Sequence, residues 1–240
     1  VIVEGNKTWQ NNPKKLRFDI DKFSKFKKKI IYIPVEDMPG GNDPYLRENF
    51  QRNSISRGLG LAAKDDLIII SDLDEIPNPK NIIKFKKNMK YAVFKQSHYY
   101  YKINLQSTFN PHWYGSRICV KNFLKSPQWL RNLKFKKRPF WRIDKIRLNN
   151  IIENGGWHFC NLKNAEQLLY KYKNLCETND PYHFKEKIDE KFLDIESIKE
   201  KIVLGEDIIG RNEKYTKKKL DNTFPTYIYN NKDKYIDWIV

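Results

Sequence analysis

The 240 residues carry 46 Lys+Arg against 29 Asp+Glu, a net charge of +17, with 40% hydrophobic and 14% aromatic residues. That apolar content excludes a disordered chain, and the length suits one core, so a single domain over residues 1–240 is expected. The positive excess attracts polyanions, whether nucleic acid, anionic membrane or nucleotide-linked ligands; a solvated lysine-rich surface accounts for it more simply. Three cysteines without CxxC spacing (Cys119, Cys160, Cys176) argue against a disulfide scaffold or structural zinc and fit a reducing compartment. No apolar run approaches a membrane span and no signal segment is visible, so a cytoplasmic location is expected.

In chain order, residues 1–4 read as a strand ending at Glu4, an active-site acid or a turn-stabilising carboxylate, before the Gly5-Asn6 turn. Short strands are expected at 16–18 and 29–34, then a loop over 36–44 with the Gly40-Gly41 pair. A helix is expected from Pro44 to about Ala63, with Leu46, Phe50, Ile55 and Leu59 near one face and Arg52 and Asn53 elsewhere on it. The stretch Asp65-Asp66-Leu67-Ile68-Ile69-Ile70-Ser71-Asp72-Leu73-Asp74-Glu75-Ile76-Pro77 organises the rest. Its four apolar residues read as an inner strand buried on both faces, which puts Asp72, Asp74 and Glu75 at the C-terminal edge where open α/β sheets bind ligands. Two carboxylates on one side of an extended backbone repel unless a cation lies between them, and Mg2+ or Mn2+ is the expected cofactor.

A short helix is expected over 81–88, then strands over 91–96 and 98–105, the second carrying Tyr99-Tyr100-Tyr101. Three adjacent tyrosines in a strand point to both faces, so Tyr100 is a core residue or a sugar-stacking platform. The aromatic turn around Trp113 precedes a strand over 116–121, and residues 129–139 read as a basic connection. Asn154-Gly155-Gly156 reads as a turn before a strand over 157–162, with Trp157 and Phe159 on one face and His158 on the other. Helices are expected over 165–172, 181–192 and 195–203, the last two capped by Asp180 and Asp194. The sequence holds no GxGxxG, GxxxxGK[ST] or GxSxG, so Rossmann, P-loop and hydrolase readings lack their loops.

Ile70-Ser71-Asp72-Leu73-Asp74-Glu75-Ile76-Pro77 resembles the signature of glycosyltransferase family 17, β-1,4-N-acetylglucosaminyltransferases related to the enzyme that bisects N-glycans. Similar segments recur in the family's order: Val1 to Trp9, Phe50-Gln51-Arg52-Asn53, Gly155-Gly156-Trp157-His158-Phe159, the Gly205 to Arg211 turn, and Phe224-Pro225-Thr226-Tyr227 with Asn230. The resemblance implies a GT-A-like α/β sandwich with a mostly parallel sheet, preceded in the family by a further βα unit. It implies an inverting transfer from UDP-N-acetylglucosamine to a carbohydrate hydroxyl. On that reading Asp74, Asp72 and His158 hold the metal, and Arg52, Asn53, Asp72, Glu75 and Arg211 contact the donor. Tyr100, Trp113 and Trp157 face the acceptor, and Glu153 or Asp207 is the base. The alternative is a metal-dependent phosphoesterase or nuclease on the same carboxylates, and a non-catalytic binding module is a third class. Nucleic acid is the less expected partner.

Overall fold

The computed structural model describes residues 1–134, 148, 150–174, 194–209 and 213–240. Arg211 and the expected helix over 181–192 lie outside the described residues. The elements in order are β1 (Ile2–Gly5), β2 (Tyr32–Val35), α1 (Pro44–Asn53), β3 (Leu67–Ile70), β4 (Glu75–Pro77), β5 (Tyr91–Tyr100), β6 (Leu105–Ser107), β7 (His112–Trp113) and β8 (Arg117–Val120). They continue with α2 (Pro127–Asn132), β9 (Ile151–Cys160), α3 (Ala165–Asn174), α4 (Ile195–Leu204), β10 (Tyr215–Lys217) and α5 (Thr226–Asn230).

The fold is mixed α/β, but its main sheet is mostly antiparallel, against the parallel sheet expected. The long strands β5 and β9 run parallel at its centre, with His98 opposite His158 and Tyr100 opposite Cys160. β8 and then β3 follow on one side of β5, β4 borders β9 on the other, and β7, β6 and β10 add further antiparallel pairs. The physical reason lies in the connections. Segment 101–104 is far shorter than the dozen or so residues a parallel crossover needs, so it returns the chain as a hairpin, and β6, β7 and β8 then run back in succession along β5. β1 and β2 form a separate parallel pair.

β3 is not the inner strand expected. It ends the strand order, paired to β8, and its burial alternates: Ile68 and Ile70 are 7% and 2% exposed while Leu67 is 39% exposed. Ile68 and Ile70 pack with Val93, Cys119 and Leu130, joining β3, β5, β8 and α2 in one core. A second core joins Tyr100, Tyr101 and Leu105 to Leu168 of α3 and Ile198 and Ile202 of α4. The chain then crosses the sheet end from β3, on the β8 side of β5, to β4, on the β9 side. Asp72, Leu73 and Asp74 make that crossing.

Local chemistry sets the helix limits. Asp43 accepts from the Tyr45 N–H and Pro44 fills the first position of α1, which stops at Asn53 and passes into a 3-10 turn rather than reaching Ala63. Its inward residue is Arg47, 1% exposed and donating to the Trp9 and Gly41 carbonyls, whereas Leu46 is 48% exposed. Ser126 caps the Trp129 N–H and Pro127 opens α2, so part of the expected basic connection is helical. Residues 16–18 are not a strand, and the two strands expected over 91–105 are one long strand followed by short β6.

Gly155 and Gly156 make no turn. They lie within β9, where the register against β5 shifts between Phe94 and Gln96, a bulge that needs Asn154 at φ +51° and Gly156 at φ +130°. The bulge brings β4 against β9: a Cβ on Gly156 would stand 2.0 Å from the Ile76 carbonyl oxygen. Gly156→Ala is therefore expected to cost about 3 kcal/mol or more, from backbone strain plus displacement of β4. Thermal unfolding measures it; an unchanged midpoint would contradict this account of the glycine pair.

Candidate active site

Three carboxylates leave β3 within four residues, and the fold treats each differently. Glu75, on the first residue of β4, is 4% exposed. Its Oε1 accepts from Arg131 Nη2 at 2.6 Å and Trp113 Nε1 at 2.6 Å; its Oε2 accepts from Arg131 Nη1 at 3.0 Å and Ser116 Oγ at 3.0 Å. Burial alone would raise the Glu75 pKa, but the Arg131 charge and these donors outweigh it and hold the carboxyl below its ordinary range. Asp72 is bound to Arg131 at 2.7 Å and to Arg52 at 3.1 Å, and Arg52 also holds Glu48 at 2.8 Å. Asn53 Oδ1 accepts from the Gln128 N–H, tying α1 to α2, so the two residues expected at the donor brace the helix pair that carries Arg131.

Asp74 differs. No arginine binds it among the described residues; its Oδ1 faces His158 Nε2 at 3.4 Å, and its carboxylate keeps 37% of its surface exposed. Burial pushes its pKa up, yet the His158 contact and the nearby Lys171 charge bring it below the ordinary aspartate value. His158 stands across from Glu75 in the β4–β9 ladder. Trp157 and Phe159 point the other way into a core with Tyr99, Ile103 and Phe224, as alternation requires. Trp113 covers the His158 ring at 5.0 Å and remains 37% exposed.

Leu73, 97% exposed between the two aspartates, lines a cavity of about 760 Å³. The opposite walls come from the segment after β1 (Lys7, Thr8, Trp9, Lys14, Arg17) and from the start of α3 with the turn before it (Lys163, Glu166, Gln167, Tyr170, Lys171). Among the described lining residues five are cations and one is a carboxylate, a balance that suits an anion. Lys14 is paired to Glu4 at 2.9 Å, which fixes Glu4 as a turn-holding acid that also accepts from the Arg17 and Phe18 amides. Lys163 has its pKa lowered by burial first, then by Lys171 and Arg17, the response of a cation crowded by like charges.

The remaining expected residues lie elsewhere. Glu153 reaches Lys95 at 3.0 Å with its side chain 57% exposed, and Asp207 is buried between the hydroxyls of Tyr101 and Tyr215, both 3.1 Å away. Neither lines the cavity. Tyr100 is 6% exposed and packs on Tyr215, and Trp157 is 9% exposed with its Nε1 donating to the Thr223 carbonyl. Arg131, Arg17, Lys163 and Lys171 were missed. The Ser126-Pro127 start of a helix could have flagged Arg131; the lysines look in sequence like any others on this basic surface.

The Arg131–Glu75 pair makes a stability prediction. The folded Glu75 pKa lies below its unfolded value near 4.3. The unfolded chain therefore binds the proton more readily, so the stabilisation is full above about pH 5 and drains as pH falls through the depressed value. Glu75→Ala should cost about 3 kcal/mol at pH 7 by leaving a buried guanidinium underpaired, and the variant's stability should depend less on pH below 5. Denaturant titrations of both proteins at pH 7 and pH 4 measure it; parallel acid limbs would contradict the assignment.

No curated protein and no solved structure matches the chain. The sequence model of glycosyltransferase family 17 matches residues 1–229 of the 240. The matched span takes in the acidic crossing, His158 and the cationic cavity, and it favours sugar transfer over the phosphoesterase or nuclease alternative. The chain belongs to glycosyltransferase family 17.

Proposed function

We propose that this glycosyltransferase uses UDP-N-acetylglucosamine, transfers the sugar with inversion to a carbohydrate hydroxyl, and works with Mn2+ or Mg2+. The observation that carries the reading is the cavity of about 760 Å³ in which Leu73 of the acidic crossing meets five cations. Its volume suits a nucleotide-sized ligand, and its charge suits a diphosphate. The donor sugar, the inversion and the metal follow from the family resemblance together with this charge pattern.

The donor atoms at Asp74 fit a divalent cation. Asp74 Oδ1 and His158 Nε2 are 3.4 Å apart, near the roughly 3 Å between adjacent ligands on one divalent cation, so these two side chains would hold it. The cation would supply neutralisation of the charge gathering on the leaving diphosphate. Around it the chain's own residues divide the work. Lys163, Lys171 and Arg17 donate to the phosphate oxygens from the cavity wall, while Asp72 is kept off the donor by Arg52 and Arg131. The carboxylate that lines the cavity is Glu166, in the first turn of α3, and it is the proposed base for the acceptor hydroxyl. The exposed face of Trp113 offers the acceptor a stacking surface beside His158.

Two measurements test this. Lys163→Ser and Lys171→Ser are each expected to weaken UDP binding about tenfold at low salt, the loss of one charge-assisted contact. Lys163→Ser should keep the wild-type melting temperature, whereas Lys171→Ser also loses its 2.6 Å bond to the buried Asn161 Oδ1 and should melt lower. Glu166→Gln should leave UDP affinity intact and reduce transfer of labelled N-acetylglucosamine to an acceptor array by at least a hundredfold. Undiminished UDP binding in both lysine variants would remove the donor from this cavity, and full transfer by Glu166→Gln would remove Glu166 as base.

A further inference from the structure

Beneath Trp113, two neighbouring parallel strands place three soft or borderline donors on one face of the sheet. His98 of β5 is in register with His158 of β9, and Cys160 follows His158 by two residues, so all three share a side. The two imidazoles stack at 4.7 Å with an 8° interplanar angle. One nitrogen from each ring and the Cys160 sulfur lie within 4.8 Å of one another.

Both histidines are oriented by a partner on the ring nitrogen that points away from the Cys160 cluster. His98 Nδ1 meets the Asn110 carbonyl oxygen at 3.1 Å, so it carries the proton and Nε2 presents the lone pair. His158 Nε2 faces the Asp74 carboxylate at 3.4 Å, while its Nδ1 is buried with no hydrogen-bond partner among the described residues. The His158 side chain is more than nine-tenths buried, and an unsatisfied nitrogen there costs free energy unless something binds it. A carboxylate or a backbone carbonyl on the far nitrogen of a ligating histidine is the usual outer support of a zinc site.

We propose that His98 Nε2, His158 Nδ1 and the Cys160 thiolate form a site for a thiophilic divalent cation of the zinc class, separate from the cation site proposed at Asp74, which would use the other ring nitrogen of His158. Tetrahedral zinc holds nitrogen and sulfur ligands at ~2.0–2.3 Å, hence ~3.3–3.6 Å from each other. An imidazole lone pair lies in its ring plane, so binding requires the two stacked rings to tilt toward one another as the cluster contracts. Three protein ligands leave the fourth position to water. Bound zinc would clamp β5 to β9 directly below the acidic crossing. It also fixes the His158 proton on Nε2, aimed at Asp74, so His158 serves zinc or the donor's cation but not both. That last consequence rests on the proposed donor site; the site itself does not.

The test uses the chelator-treated, reduced protein titrated with Co2+. One equivalent is expected to give an intense near-ultraviolet thiolate-to-cobalt band and visible tetrahedral bands, both removed by one equivalent of Zn2+. Cys160→Ser should abolish the thiolate band and weaken Zn2+ at least a hundredfold, whereas Cys176→Ser should leave both unchanged. Asp74→Asn should keep the band and weaken Zn2+ about 10–100-fold, as loss of an outer support does. Absence of a thiolate band in the parent, or its persistence in Cys160→Ser, would overturn the proposal. Cys160→Ser is near-isosteric; a wild-type melting curve in chelator shows that its loss of metal is not a loss of fold. Failure of UDP binding would leave this result untouched, because the cobalt spectrum involves no donor.

Discussion

The Arg131–Glu75 ion pair is the constraint on which the rest of the acidic crossing depends. Unit charges 4 Å apart interact by about 4 kcal/mol at an effective dielectric of 20, so three carboxylates within four residues of a strand end would push the loop open. Arg131 prevents this by binding both Glu75, at 2.6 Å, and Asp72, at 2.7 Å. Trp113 and Ser116 complete the Glu75 shell, which also fixes the Trp113 ring over His158. One buried carboxylate thereby positions a guanidinium, an indole and the first residue of β4. Among the described residues Asp74 is the acid of the three that no arginine binds, and its pKa reflects burial opposed by His158 and Lys171.

That division gives the site its polarity. On one side of Leu73 the charges are closed into ion pairs; on the other, Lys7, Arg17, Lys163 and Lys171 face a cavity whose described lining residues include a single carboxylate, Glu166. A basic chain of this kind binds polyanions without specificity at its surface. On the proposed reading, concave geometry and the nearby Asp74 would turn the same charge into a preference for an anion that brings a cation with it.

The acidic crossing was legible as an element because its chemistry is local: an apolar strand followed by three acids marks a strand and its end. The His158 face was legible for the same reason, since alternation with Trp157 and Phe159 follows from strand geometry once they are core. The sheet's sense was not. Antiparallel return depends on which strand each short connection meets, and β5 hides this by continuing through what reads as two strands. The glycine pair also misled, because Gly155-Gly156 marks a bulge and a close β4 approach rather than a turn. Arg52 and Asn53 were located by their pattern and Glu48 is Arg52's neighbour one helical turn earlier, but their partners Gln128 and Asp72 come from two other segments, and only the folded chain brings those together. Cys160 carries no sequence signal at all; it gains significance from a strand sixty residues earlier in register with its own.

The central claim is that Asp72 and Glu75 hold the site while Asp74 faces the ligand. Calorimetric titration of UDP with Mn2+ into Asp72→Asn and Asp74→Asn, beside melting curves for both, tests it most directly. The account predicts a double dissociation. Asp74→Asn loses Mn2+-dependent UDP binding with an unchanged melting temperature, whereas Asp72→Asn binds UDP and Mn2+ but loses about 1 kcal/mol of stability from its partly exposed arginine contacts. Metal-dependent binding that survives in Asp74→Asn and disappears in Asp72→Asn would contradict it.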